Sequence, residues 1–153
     1  MKFIYHCFGG SHSSITAAAI HLGLLPDNRP AQDIELLSVP LYDSQVGIDH
    51  GRIRFMGWDE KGNEIYITSK RNLHDKYGRI MQQILQLAEG EELLSEVVFI
   101  NTMPYVNLFM VIGGFLSRRW GSCRLGRRIV CYGTRQSYYK FAQLVRQLKE
   151  KYS

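Results

Sequence analysis

The chain has 153 residues, 45% hydrophobic and 22% charged, enough to bury the core of a globular domain and too apolar for a disordered one. Its longest strongly apolar stretch, Leu108 to Leu116, is about half of what a bilayer-spanning helix needs, and the first residues run into a strand pattern without a cleavage site, so neither a membrane partner nor a secretory leader is expected. Lys and Arg outnumber Asp and Glu by 19 to 14, yet the excess is uneven: from Arg118 onward ten basic residues face one acid, a net of +9, against −4 for residues 1–117. Such asymmetry points to a basic face turned toward phosphate, nucleic acid or an acidic partner; the rival reading is a solvated C-terminal helix.

Lys2 to Phe8 is a short apolar-rich run that stops at Gly9-Gly10, as a buried strand does. After a Ser/His cluster, Ile15, Ala18, Ala19 and Leu22 recur at helical spacing until Gly23 and Pro26 end the helix. Ile34 to Val39, closed by Pro40, reads as a second strand that delivers Asp43 at its carboxyl end. Residues Arg52–Trp58 and Glu64–Thr68 alternate apolar and polar around a glycine-containing loop, which predicts an antiparallel hairpin. Asn72, with Asp75 three residues on, predicts a capped helix through Ala88 with Tyr77, Ile80, Ile84 and Leu87 as its stripe. The continuous apolar run Val97 to Ile100 reads as a strand buried on both faces, and Pro104 opens a helix through about Arg118. Arg128 to Tyr132 reads as the last strand, after which Thr134 caps a helix with the stripe Tyr138, Phe141, Val145, Leu148 and Tyr152.

This alternation predicts one α/β domain over residues 1–153: a three-layer, Rossmann-like, mostly parallel sheet with an inserted antiparallel hairpin at about 52–68. Ligands of such sheets gather beyond the carboxyl ends of the strands, which here carry Cys7 to Ser14, Asp43, Asn101-Thr102 and Gly133-Thr134-Arg135.

The segment from Cys7 to Ser14 is the one with chemistry in it. It lies between a strand and a helix N-terminus, where unpaired N–H groups and the helix dipole favour an anion. Gly9 and Gly10 allow close backbone approach, and Ser11, Ser13 and Ser14 carry donor hydroxyls. His12 is an acid or base near neutral pH, and Cys7 at the loop mouth becomes a nucleophile if that environment lowers its pKa. The bland alternative is a buried strand cysteine, a tight turn and a helix cap. A P-loop of the nucleotide-hydrolase kind is excluded, because His6 and His12 stand where its first glycine and its lysine belong. The three cysteines, Cys7, Cys123 and Cys131, and the five histidines show no ligand spacing, so no metal, no cofactor and a reducing cytoplasmic setting are expected.

Two families resemble this loop. Cys7 and Ser14 match the nucleophile and serine of the C-x5-R-S loop of low-molecular-weight protein tyrosine phosphatases, although Ser13 occupies the arginine position and no proline follows an aspartate to supply that family's general acid. Cys7, Gly10, Ser13 and Ser14 resemble the C-x-x-G-x-x-[ST]-S loop of the cysteine-type IIB proteins of sugar phosphotransfer systems, which implies a phosphocysteine held without an arginine. Over nearly the whole chain, the segments YHCFGGSHSSITAAAIHLGLLP, MPYVNLFMVIGGFLSRRWG and GRRIVCYGTRQSYYKFAQLV resemble the bacterial domain-of-unknown-function family 3189, a resemblance that implies no particular activity.

The leading expectation is a protein that binds a phosphate-bearing small molecule or nucleotide in the Gly9–Ser14 loop. Arg118, Arg119 and Arg135 would be its charge partners and Cys7 or His12 the reactive group. The alternative is a noncatalytic module that holds nucleic acid or an acidic partner on its basic C-terminal region. A third is an anion sensor that signals through the hairpin. Gly113-Gly114 inside a helix signals close packing or a break.

Overall fold

The computed structural model describes residues 1–44, 51–73, 76–89, 96–119 and 123–152, with the side chains of 86–89, 118, 119 and 123 outside that description. Four strands, β1 (Lys2–Cys7), β2 (Arg54–Trp58), β3 (Glu64–Ser69) and β4 (Val97–Asn101), form a sheet of order β2-β3-β1-β4. β1 runs parallel to both β3 and β4, and only the β2–β3 pair is antiparallel. Among the described residues five helices accompany them: α1 (Ser13–His21), α2 (Asp33–Ser38), α3 (Lys76–Glu89), α4 (Leu108–Arg119) and α5 (Cys123–Lys151). The chain is therefore an α/β fold on an open, mostly parallel sheet.

The strand period decides which side chains share a face. Phe3 registers with Ile65 and Val98, and Tyr5 with Ile67 and Ile100, so these apolar positions point one way. α1 and α5 cover that face, the Phe3 ring lying 5.0 Å from His21 and 5.5 Å from Tyr152. His6 and Phe99 point the other way, where Tyr77 of α3 lies 5.0 Å and 6.2 Å from their rings. Every residue of α1 is buried, so the predicted one-sided stripe of that helix is instead an all-round core helix, which its run of small alanines permits.

Inside this core Tyr5, His21 and Asp59 form a polar chain. Tyr5 Oη is 2.7 Å from His21 Nδ1, and His21 Nε2 is 3.1 Å from Asp59 Oδ2. Burial lowers the His21 pKa, with Lys149 adding to the effect, so the ring is neutral at pH 7; its Nε2–H donates to Asp59 and its Nδ1 accepts from Tyr5. Asp59 also accepts the N–H groups of Lys61 and Asn63, tying the hairpin turn to α1.

Several expectations are corrected. Residues 34–38 are helical, with Val39 the extended cap that follows, because Gln32 and Glu35 close a capping box and Arg29 holds the Glu35 carboxylate at 2.7–2.8 Å. Residues 128–132 are not a strand either: they lie within α5, and Thr134 donates to the carbonyl of Val130 one turn back instead of capping a helix. The predicted antiparallel hairpin is present as β2–β3, with β3 the inner neighbour of β1. β4 is an edge strand, with Val98 and Phe99 only half-buried. Pro104 sits in a short 3₁₀ turn before α4, and Asn72 in another before α3. Asp75 and Leu87 lie outside the described residues or side chains, and Ile84 of the α3 stripe is half-exposed.

α4 and α5 form a helical hairpin of close approach. A β-carbon on Gly113 would come within 2.4 Å of the Val130 nitrogen, and one on Gly126 within 2.3 Å of the Ser117 nitrogen. The glycines that weaken helix propensity are thus required by packing, and α5 continues through Gly126 and Gly133 because α4 lies against them.

Candidate functional site

β1 ends at Cys7, and the chain turns through Gly10 at φ 65°, a left-handed conformation that glycine adopts without strain. That turn brings the N-terminus of α1 back over the cysteine. The Gly10 N–H donates to Cys7 Sγ at 3.0 Å, and Ser14 Oγ lies 3.3 Å from the same sulfur. Burial alone pushes the Cys7 thiol up. The hydroxyls of Ser14 and Ser13 with the N–H groups of Ser14 and Gly10 outweigh burial, and the net pKa lies below that of an ordinary thiol. Cys131, buried without such a cradle and near Asp33, is pushed up to about 11. The contrast comes from the loop, whose set of donors around the Cys7 sulfur is not matched at Cys131.

The remaining loop residues are buried and held in place. Ser11 Oγ donates to the Gly9 carbonyl, and the Ser11 carbonyl accepts the Asp43 N–H at 3.2 Å. Thr102 Oγ1, just beyond β4, lies 3.0 Å from both Ser13 Oγ and the carbonyl of His6. His12 Nε2 is 2.9 Å from Asp43 Oδ1, with the His12 ring 5.4 Å from Tyr42. Asp43 adopts a left-handed φ of 51°, which asparagine and aspartate tolerate better than most residues. Its carboxylate also accepts Ser117 Oγ at 2.8 Å and Arg127 Nε at 3.1 Å. Burial raises the Asp43 pKa, but His12, Ser117 and Arg127 together bring it below the usual carboxylate range.

Of the residues expected at the strand ends, the structure brings together Cys7, Gly10, Ser11, His12, Ser13 and Ser14 with Asp43 and Thr102. It does so differently from the expectation for 133–135, which lie in mid-helix: Thr134 accepts from Tyr42 at 2.9 Å and so anchors the segment beside Asp43. The guanidinium of Arg135 lies 3.5 Å from Asp33 of α2. Arg118 and Arg119 end α4, and their side chains lie outside the described residues.

Three cationic residues were not among the expected charge partners. Arg127 reaches the loop through Asp43. Lys70 follows β3 directly, its N–H bonded to the Cys7 carbonyl at 2.8 Å and its ammonium 3.2 Å from Asn101 Oδ1; the residue is buried. Arg54 of β2 reaches the Gly10 carbonyl at 3.5 Å. The signal for Lys70 and Arg54 was the pairing of β3 with β1, which hydropathy does not contain.

Among the described residues no group of three His, Cys, Asp or Glu is arranged to hold a metal ion, and no helix is long and apolar enough to cross a membrane. No curated protein and no solved structure matches the chain. The model of one family, described as a protein of unknown function, matches residues 2–150, and with that match added to the segments it shares, the chain belongs to the DUF3189 family.

Proposed function

We propose that the chain binds a phosphate-bearing small molecule, nucleotides included, at the Gly9–Ser14 loop, and that Cys7 is its nucleophile. The observation that carries this reading is the convergence of Gly10 N–H and Ser14 Oγ on Cys7 Sγ, which favours the thiolate in a buried position. Lys70 and Arg54 bring positive charge to the same sheet edge, where the resembling phosphatase loop carries its arginine within the loop itself. In the step this supports, the thiolate attacks phosphorus, a phosphorus–sulfur bond forms and the bond to the leaving oxygen breaks. In this reading His12, held by Asp43, supplies the proton that the leaving oxygen needs.

The test is a thermal-shift panel of phosphate, sulfate, nucleotides and sugar phosphates on the wild type, Lys70→Gln and Cys7→Ser. A ligand that binds only the folded chain stabilises it by about 2.7 kcal/mol at a hundredfold excess over its Kd. One class is expected to stabilise the wild type and lose most of its effect in Lys70→Gln. Cys7→Ser is expected to bind that class but to show no phosphoryl adduct by mass spectrometry. A panel in which nothing stabilises the wild type at low salt overturns the reading.

A second reading, nucleic acid or an acidic partner on the basic face of α5, is supported by the absence of any Asp or Glu between Thr102 and Lys149. Arg127, Arg135 and Lys149 spend charge on Asp43, Asp33 and Glu60, while Arg124, Arg128 and Lys140 are exposed. This reading expects affinity that falls steeply with salt, and a flat salt dependence overturns it.

A further inference from the structure

α4 packs against α5 through Met110, Gly113 and Gly126, and no other element of the described chain meets it to a comparable extent. Its opposite side is apolar and open. Leu108, Val111, Ile112 and Phe115 fall at i, i+3, i+4 and i+7, one stripe along the helix, and are 68%, 56%, 42% and 49% exposed. Phe109 widens the stripe, stacked edge-on against the exposed Tyr132 of α5 at 5.1 Å. A water-facing helix of 12 residues carrying two glycines is weak by itself, and this one exposes the residues that ordinarily stabilise such a helix by burial.

We propose that this stripe is the seam of a homodimer, in which α4 packs antiparallel against α4 of a second copy about a twofold axis between Val111 and Ile112. Two observations select a second copy as the occupant, and a third sets its orientation. The first is area: a standard-size face of about 800 Å² per partner, about 65% apolar, needs roughly 520 Å² of apolar surface, and the six residues named, 42–68% exposed, leave on the order of 600 Å² open in all. The second is shape, since a single helical stripe without a charged residue is what ridge-into-groove packing of two helices requires, and a twofold axis needs no other surface. The third is charge: the basic residues Arg118, Arg119, Arg124 and Arg128 cluster toward the end of α4 that joins α5. Antiparallel pairing sets the two basic ends apart by roughly the helix length, about 18 Å, beyond the screening length of about 8–10 Å. A parallel pairing would bring them together. In the antiparallel seam Leu108 meets Phe115 of the second copy, while Val111 and Ile112 meet near the axis.

Sedimentation equilibrium of the full chain at micromolar concentration tests this. The wild type is expected at twice its 17.7 kDa chain mass. Val111→Glu, at an exposed position, is expected at half the wild-type mass with unchanged helical circular dichroism. Ile112→Cys is expected to form an intermolecular disulfide that links α4 to itself, whereas Leu108→Cys does so only when mixed with Phe115→Cys. The disulfide pattern answers the question even if Val111→Glu unfolds. A wild type at 17.7 kDa throughout overturns the proposal, and so does a dimer that a folded Val111→Glu leaves intact. A monomer that binds anionic phospholipid vesicles through the same stripe also overturns it, by assigning the face to a membrane surface.

Discussion

His12 Nε2 and Asp43 Oδ1 stand 2.9 Å apart although thirty-one positions separate them, and the same carboxylate is held by Ser117 of α4 and Arg127 of α5. Asp43 is therefore the point at which the cysteine loop, the segment after α2 and the helical hairpin meet. The rest of the molecule can reach the loop through it, and the consequences of altering it are correspondingly specific.

Asp43→Asn keeps the shape but removes the charge that Arg127 and His12 face. It is expected to destabilise the chain by about 1–3 kcal/mol, the range for leaving a buried hydrogen-bonding group poorly satisfied. The pH dependence carries the sign. The Asp43 pKa is depressed on folding, so its contribution is present above the unfolded carboxylate pKa of about 3.9 and is lost as pH falls through the lower folded value. Denaturant titrations from pH 7 to pH 3 should show the gap between wild type and Asp43→Asn closing at the acid end.

The Cys7 thiolate gives a second signature. Its folded pKa lies below that of a free thiol, so the stability it adds is full above about pH 8.5 and declines as pH falls through the folded value. The thiolate absorbance lost in Cys7→Ser is expected to titrate below the range of an ordinary thiol in the wild type. Ser14→Ala, which removes one donor to sulfur, should raise that midpoint by about one pH unit, since one unit corresponds to about 1.4 kcal/mol and a charge-assisted hydrogen bond is worth about 1.5–3. An unchanged midpoint in Ser14→Ala would remove the hydroxyl from the account.

Two glycine substitutions inside helices should act with opposite sign. Alanine gains about 1 kcal/mol over glycine in helix propensity, and at Gly78 its β-carbon would rest 3.7 Å from Phe99 Cβ, an ordinary contact. Gly78→Ala is expected to raise Tm by a few degrees. At Gly126 the same carbon would lie 2.3 Å from the backbone nitrogen of Ser117, which has nowhere to move without parting the helices. Overpacking of about 1–3 kcal/mol or more then exceeds the propensity gain, and Gly126→Ala should lower Tm. Thermal melts of the two variants decide both.

The buried His21 predicts a separate loss of stability on the acid side. Because burial lowers its pKa, the unfolded chain binds the proton first, and His21's contribution is full above the unfolded histidine pKa of about 6.5 and fades as pH falls toward the folded one. Nitrogen chemical shifts should identify a neutral ring protonated at Nε2 at pH 7. Tyr5→Phe, which withdraws the hydroxyl bonded to Nδ1, should destabilise the chain by about 1–3 kcal/mol without altering far-UV circular dichroism.

Residues 1–21 were legible before any coordinates: an apolar strand, two glycines, three serines and an alanine-rich helix are local features, and they place Cys7 at a helix N-terminus as the structure does. The hairpin at 54–69 and the strand at 97–101 were legible for the same reason, since alternation and short apolar runs record burial residue by residue. The segments 34–39 and 128–132 were not, because short apolar runs suit strand or helix equally and the choice was made by partners elsewhere. Those partners are the Arg29–Glu35–Gln32 cap in one case and the backbone of α4 against Gly126 and Gly133 in the other. The sequence by itself determined the cysteine loop and the class of the fold, both written in contiguous residues. Only the tertiary structure decided that β3 lies beside β1 and that, among the described residues, Lys70, Arg54 and Arg127 bring positive charge to the loop. Strand order and ion pairing arise from contacts between distant positions, and no local period of hydrophobicity encodes them.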